Sequence, residues 1–371
     1  MVQAGAPVIT RGLLLLAVLL LPGGAAAQQA QLKVPPGFHV EVFAADLGGV
    51  RLMVLDPAGT LLVSVPSRGR VLALPDRNGD GKADATHLVM DRLNQPHGLA
   101  FKDGALYIAE TGRVLRFEYD PATMKAAQGR VAVPKLPAEG NHWTRTVVFG
   151  PDGRLYVSVG SSCNACRESD KRRAAVLRYQ ADGSGEQLFA TGLRNAVGLA
   201  FQPGAGVLWA TVNERDWRGA DVPPDYVTEV KEGAHYGWPD CMTIGGHAVA
   251  DRSVNRVARC EGVTRPTVEI QAHSAPIGLA FYTAAQFPAE YRGSLFVAYR
   301  GSWNRIVPTG YKVVRIRFQD GKPAGVEDFA TGWLEGASSW GRPVDVLVGR
   351  DGALYVSDQG AGRIYRIRYG S

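Results

Sequence analysis

Beyond residue 50 the chain is written in short apolar runs, each preceded by a turn carrying glycine and followed by basic and apolar residues in alternation. Such runs predict strands, and the Asp-Gly, Pro-Gly and Arg-Gly pairs between them predict tight turns. The unit recurs six times. Asp56-Pro57-Ala58-Gly59 leads into Leu61 to Val65, Lys102-Asp103-Gly104 into Leu106 to Ala109, and Pro151-Asp152-Gly153 into Leu155 to Val159. Gln202-Pro203-Gly204 precedes Val207 to Val212, Tyr291-Arg292-Gly293 precedes Leu295 to Tyr299, and Arg350-Asp351-Gly352 precedes Leu354 to Ser357.

A second matching piece stands before several of these turns: Gly98-Leu99-Ala100-Phe101, Gly198-Leu199-Ala200-Phe201 and Gly278-Leu279-Ala280-Phe281, with Thr146 to Phe149 and Val344 to Val348 in equivalent places. Almost nothing shows sustained helical periodicity. Repeats of this length, each a small antiparallel sheet, mark a propeller, because a single blade leaves two apolar faces wet and only a closed ring buries them all. The expected fold is therefore all-β, a six-bladed β-propeller of four-stranded antiparallel sheets forming one domain over residues 28–371. A pair of packed sandwiches is the structural alternative.

Residues 1–27 read differently. Arg11, the apolar stretch Leu13 to Leu21, Pro22 and the small residues Gly23 to Ala27 have the layout of a secretory signal peptide, with a retained membrane anchor as the alternative. The apolar stretch is shorter than the roughly 20 residues a spanning helix needs, so no membrane span is expected after cleavage. A periplasmic or secreted protein follows. That compartment favours disulfides, and the four cysteines divide into Cys163 with Cys166 and Cys241 with Cys260. Arg167 after the Cys-x-x-Cys argues against covalent haem attachment, and a thiol-redox role lacks the surrounding strand and helix pattern.

Composition adds two exclusions. With 371 residues, 46% of them hydrophobic and 20% charged, the chain can bury a substantial core, which rules out disorder. The net charge of +6 is spread along the chain without long basic runs, so nucleic acid is not expected as a partner.

Innermost propeller strands converge on a central channel, so polar residues just before them should face one cavity. Those positions carry Asn94-Gln95-Pro96-His97, Asn141-His142-Trp143-Thr144-Arg145, Leu193-Arg194-Asn195, His273-Ser274-Ala275-Pro276 and Gly341-Arg342-Pro343. Elsewhere, the stretch Asp76 to Asp84 places oxygens of Asp76, Asn78, Asp80 and Asp84 at positions 1, 3, 5 and 9, with Gly81 at position 6, as at the start of an EF-hand loop. His87 stands at position 12 in place of Glu, so the expectation is a structural calcium clip in a hairpin, against an ordinary turn. Trp217, Trp303 and Trp340 are candidate walls for a sugar ring or packing between blades.

At these residues the chain resembles the glucose/sorbosone dehydrogenase family, soluble six-bladed propellers that use pyrroloquinoline quinone (PQQ) and calcium. The resemblance runs from Pro36-Gly37-Phe38 to Tyr369 and is carried by Asn141-His142 with Phe149-Gly150-Pro151-Asp152-Gly153-Arg154-Leu155-Tyr156, and by Gly192-Leu193-Arg194-Asn195. Tyr236-Gly237-Trp238-Pro239 and Ala298-Tyr299-Arg300-Gly301-Ser302-Trp303-Asn304-Arg305 extend it. Asn213-Glu214-Arg215-Asp216 replaces the Gly-Pro segment of the glucose enzymes, so the sorbosone-type branch is the nearer match.

The resemblance implies that His142 takes the proton of the sugar hydroxyl, a task that suits imidazole near neutral pH. It implies that Arg194 and Asn195 face the quinone, with the Arg194 charge stabilising the reduced form. Gln95, Arg300 and Arg342 fall where cofactor-holding groups stand, and guanidinium groups grip carboxylates two-pronged. Val344 occupies the position of a second cofactor-binding Arg, and Arg300 stands near a family Lys. The loop Asn213 to Asp225, centred on Arg215 and Asp216, is where a cofactor-side calcium is expected, with Glu214, Asp216 and Asp225 as hard oxygen donors.

Three functions follow for test. The first is an exported PQQ- and calcium-dependent oxidoreductase that oxidises a sugar or sugar-derived aldehyde and passes electrons to an external acceptor. The second is a calcium-dependent lactonase-like hydrolase, which would call for a ring of Glu, Asn and Asp around the channel where this chain presents His and Arg. The third is a propeller that only binds a partner.

Overall fold

Every apolar run located by the repeat is the second strand of a four-stranded antiparallel blade. The computed structural model describes residues 1, 2, 5 and 32–370, so the signal-peptide reading falls almost wholly outside the described residues. From Leu32 onward the chain forms a single unit. The inner strands of the six blades are Met53–Leu55, Leu99–Lys102, Val147–Phe149, Ala196–Phe201, Pro276–Phe281 and Pro343–Val348, and neighbours in this order pack against one another until the sixth meets the first.

The Gly-Leu-Ala-Phe motif has a steric cause. A Cβ at Gly198 would stand 2.0 Å from the Ile277 carbonyl oxygen, and one at Gly278 would stand 2.6 Å from Asp345 Cα, so adjoining inner strands approach closely only where the side chain is missing. Buried hydroxyls then bolt one blade to the next. Ser64 Oγ donates to the His97 carbonyl at 2.8 Å, Thr211 Oγ1 to Ile277 at 2.6 Å, and Ser357 Oγ to Arg51 at 2.7 Å. All three come from second strands; Ser64 and Ser357 reach the segment that leads into the neighbouring inner strand, and Thr211 reaches the start of that strand itself.

The sixth blade takes its outer strand, Phe38–Ala44, from the beginning of the propeller; it pairs antiparallel with Arg363–Tyr369, Phe38 opposite Tyr369 and Val42 opposite Tyr365. The ring cannot open without breaking that ladder. Phe38 also packs edge-on against Phe287, Tyr291 and Phe329 of the fifth blade, which ties the seam into a buried aromatic cluster.

Both expected disulfides are present, Cys163–Cys166 and Cys241–Cys260. The second closes an insertion in blade four that carries the hairpin Cys241–Ile244 with His247–Ala250. Described helix is confined to two short 3-10 turns, Pro66–Arg68 and Ala289–Tyr291, and no described helix is long and apolar enough to cross a membrane.

Candidate active site

The segments preceding the inner strands meet the segments leaving the second strands at one end of the channel, around a cavity of about 380 Å³. His142, Arg194, Asn195, Asp216, Arg300 and Trp303 all line it, so residues from blades three, four and five converge as the sequence implied. Ile277 is one of its few apolar lining residues. Val344, where the resemblance expected an arginine, packs with Leu52, Val197 and Ile277 in a small buried cluster, and a guanidinium there would lack partners.

His142 is half-buried, and its Nδ1 lies 2.8 Å from the Ser161 carbonyl oxygen. A carbonyl only accepts, so the ring proton sits on Nδ1 and the Nε2 lone pair is left available. Burial, reinforced by the Arg194 charge, lowers the His142 pKa to about 3, and the imidazole is neutral. Arg145 turns beneath the loop and donates to the His142 carbonyl at 2.8 Å. A Cβ at Gly160 would stand 2.5 Å from Asn195 Oδ1 and 2.6 Å from His142 Cβ, so glycine there lets the two residues close on each other.

The cavity holds a second histidine, His273, with a different character. Its Nε2 lies 2.9 Å from the Gly219 carbonyl and its Nδ1 3.6 Å from Asp216 Oδ1, and the Asp216 hydrogen bond raises its pKa. Both ring nitrogens of His273 are engaged. Of the two histidines, only His142 has a lone pair free to take a proton.

Arg194 is placed by its own hydrogen bonds. Nε donates to Asn164 O at 2.9 Å, Nη1 to Asn213 O at 3.0 Å and Glu214 O at 2.6 Å, and Nη2 to Asn164 Oδ1 at 2.9 Å and Asp216 Oδ2 at 3.2 Å. All five donors have protein acceptors, so the direct bond to a cofactor oxygen that the resemblance implied has no free N–H to make it. What Arg194 delivers to the cavity is its charge. Asn195 differs, because its buried Oδ1 has no partner.

One wall of the cavity is cationic. Arg51, buried at 5% exposure, donates through Nη1 to Gln359 Oε1 at 3.1 Å, and Arg300 Nε donates to the same oxygen at 2.9 Å. Burial, with repulsion from Arg300, lowers Arg51 to about 9. Arg342 stands behind it, outside the cavity lining, with its guanidinium 4.9 Å from the Tyr311 ring. Arg51 Nε and Arg342 Nη1 are buried without partners, and the nearby carboxylate of Asp345 is bonded to the Met53 amide at 2.7 Å. Buried guanidinium donors without acceptors are the counterpart of an anionic, oxygen-bearing ligand. Gln95 does not join them; it is exposed at φ 50° and accepts from Thr111 Oγ1 at 3.2 Å, outside the cavity lining. Arg51 was missed in the sequence, although it stands two residues before its inner strand as Arg194 does.

The facing wall, from blade four, is acidic. Glu214 and Asp225 are buried, and burial raises their pKa values to about 7 and about 6. Asp225 accepts from the Glu214 amide at 2.8 Å and the Ala275 amide at 2.9 Å. Asp216 is committed elsewhere. Burial pushes its carboxyl up, yet bonds from His273 and Asn304 and the Arg194 charge hold it below the usual range. Its carbonyl accepts from Asn164 at 3.0 Å. Arg215 points out of the cavity, paired with Asp251 and bonded to Ser253 Oγ at 3.1 Å. The buried carboxylates that offer lone pairs to a hard cation are therefore Glu214, whose Oε2 also accepts from the Arg215 amide at 3.1 Å, and Asp225, rather than a set centred on Arg215 and Asp216.

The Asp76 to Asp84 stretch lies on a different cavity and bonds mainly to itself. Asp76 accepts from the Gly79 and Gly81 amides at 2.9 and 3.0 Å, Asn78 from Asp80 at 3.0 Å, Asp80 from Lys82 at 2.9 Å and Asp84 from Arg77 at 2.7 Å. The one convergent trio of metal-ligating side-chain types among the described residues is Cys163, Cys166 and Glu168, whose sulfurs are joined in the disulfide. Trp303, 64% exposed, lines the cavity and meets Trp217, 70% exposed, edge to face at 5.5 Å, whereas Trp340 packs against Trp333; neither Trp217 nor Trp340 is a cavity wall.

Comparison with known proteins fits this geometry. The chain is 28% identical over 357 residues to an uncharacterized protein of Borreliella burgdorferi, covering 91% of each. It is 27% identical over 416 residues to the pyrroloquinoline quinone-dependent pyranose dehydrogenase of Coprinopsis cinerea, covering 93% of this chain and 56% of that longer protein. A calcium structure of the Trichoderma reesei carbohydrate-active enzyme of family AA12 superposes with a TM-score of 0.80 over 92% of this chain and 98% of the other, at 22% identity, and so shows a shared fold. The family model described as TrAA12-like matches residues 32–370, and the chain belongs to that family of propellers.

Proposed function

We propose that the chain is an exported PQQ- and calcium-dependent oxidoreductase that oxidises a sugar or sugar-derived aldehyde and hands its electrons to an external acceptor. One observation carries this reading: a neutral histidine with a bare Nε2 shares a cavity with Arg300 and with Arg51, whose buried Nε has no acceptor. The description of the Coprinopsis relative supports PQQ and a pyranose, and the calcium structure of the Trichoderma protein supports the ion. Two disulfides and the signal-like residues 1–27 support export.

PQQ carries three carboxylates, and Arg51, Arg300 and Arg342 would hold them, while Glu214 and Asp225 would hold calcium. When bound, PQQ supplies the electrophilic carbonyl carbon that accepts a hydride from the substrate. The protein's part is proton transfer and positioning. His142 Nε2 takes the hydroxyl proton, and the Ser161 carbonyl keeps the ring in the tautomer that permits it. An anion seated on the arginine wall offsets the Arg194 charge and raises the affinity of His142 for that proton.

The test is reconstitution of purified protein with PQQ and calcium, followed by dye-linked assays on aldoses, aldehydes and polyols. His142→Ala should lower kcat/KM by roughly 10²- to 10⁴-fold with cofactor affinity little changed. Wild-type turnover in the variant would remove His142 as the base. Ester hydrolysis without PQQ would replace this reading by the lactonase-like one, and inertness to both by a binding propeller.

A further inference from the structure

Between His142 and the acidic wall lies the short loop closed by the Cys163–Cys166 disulfide, and its second residue, Asn164, makes contacts to both sides of the cavity machinery. The Asn164 carbonyl accepts from Arg194 Nε at 2.9 Å and from Trp238 Nε1 at 3.3 Å. Its side-chain Oδ1 accepts from Arg194 Nη2 at 2.9 Å and from the Asp216 amide at 2.8 Å, and its Nδ2 donates to the Asp216 carbonyl at 3.0 Å. One residue thus chelates the guanidinium of Arg194 and grips both peptide groups of Asp216.

The same loop reaches His142. Ser161 Oγ donates to the Cys163 carbonyl at 2.6 Å and lies 2.9 Å from His142 Nδ1, and the Ser161 amide donates to the Arg194 carbonyl at 2.8 Å. Glu168 pins the loop from outside, accepting from the Ser162 amide at 2.6 Å and the Ser162 hydroxyl at 2.7 Å. These bonds connect the base, the cation and the carboxylate that holds His273 through one braced segment.

We propose that Asn164 is a positioning residue, which sets the Arg194–Asp216 pair against His142 from within the disulfide loop. The inference rests on the oxidoreductase reading for its catalytic consequence. Chemistry explains why the residue is asparagine. A carboxamide accepts and donates from one planar group at the spacing of a peptide, so it satisfies the Asp216 amide and carbonyl together. Aspartate would face the Asp216 carbonyl with a second oxygen, glutamine would be one carbon too long, and alanine would leave Arg194 Nη2 short of an acceptor in a buried site.

The experiment uses Asn164→Asp, with Asn164→Ala as a second variant that adds no charge. In the protein without PQQ or added metal, Asn164→Ala removes the acceptor of the Asp216 amide, whose exchange should accelerate by about 10-fold, as loss of one buried hydrogen bond implies, while exchange in the outer strands stays at the wild-type rate. In the reconstituted enzyme, kcat should fall about 10- to 100-fold with KM little changed, the signature of misplaced groups rather than lost binding. Wild-type exchange at Asp216 in Asn164→Ala overturns the proposal, as does wild-type kcat. If the wild-type protein oxidises no sugar, the oxidoreductase reading fails, and the exchange measurement still decides whether Asn164 holds Arg194 and Asp216.

Discussion

Two stretches of the chain are rich in hard oxygens, Asn213 to Asp225 at the cavity and Asp76 to Asp84 in the hairpin loop of blade one; carboxylates in both accept backbone amides, and they differ in how deeply they are buried. Glu214 and Asp225 are buried and raised to about 7 and about 6, so in the absence of a cation their ionisation is costly. Asn78, Asp80 and Asp84 are exposed, and each of them, like Asp76, accepts from an amide of its own loop. The hairpin matches the spacing of a calcium loop, while the cavity carries the unmet electrostatic need. Spacing alone reports where oxygens sit along the chain; burial sets what their ionisation costs without a cation beside them.

The largest expected effect tests that distinction directly. A cation that binds only the folded protein at about 100 times its dissociation constant stabilises it by roughly 2.7 kcal/mol, or about 5 °C in a chain of this size. The double variant Glu214→Gln/Asp225→Asn should lose nearly all of the calcium-dependent shift in Tm measured by calorimetry. Retention of the wild-type shift would locate the ion away from this wall.

The contrast also shows how far sequence reached. The repeat gave all six second strands, because tight turns and alternation are local properties. The strand that closes the ring, Phe38–Ala44, belongs to no repeat and was not separately anticipated, since its partner Arg363–Tyr369 lies at the other end of the chain. Among site residues, His142, Arg194, Asn195 and Arg300 were legible from motifs and do line the cavity. Arg51 and Gln359 were not. They meet Arg300 only when the sixth blade closes on the first, a contact between positions 308 residues apart. Gln95 misled in the opposite sense: its place before an inner strand was right, but a positive φ turns it outward to Thr111.

A smaller effect separates Glu214 from its neighbours by pH. Its folded pKa of about 7 lies above the ordinary carboxylate value of 4.5, so the folded state holds the proton more tightly than the unfolded chain. Wild-type stability is therefore eroded as pH rises from about 4.5 through about 7, and it is unaffected by this group below that window. Glu214→Gln carries no ionisation. In chelator-containing buffer, the stability of the variant relative to wild type should increase across that interval and level off above it. Saturating calcium should flatten the difference, because a bound cation keeps the carboxylate ionised. Urea titrations at several pH values measure both curves, and a pH-independent difference would show that Glu214 is not the group under strain.

The smallest effect is expected in the hairpin, and it can undo the comparison. Asp80→Asn keeps an oxygen to accept from the Lys82 amide, now 2.9 Å away, and removes one exposed charge. Its Tm should move by about 1 °C or less, in the usual range of surface substitutions, and by the same amount with calcium as with chelator. A calcium-dependent shift that is cut by half in Asp80→Asn would mean that the loop reorganises around an ion despite its internal bonds. In that event satisfied oxygens would have predicted nothing, and burial would lose its standing as the property that marks the cavity wall.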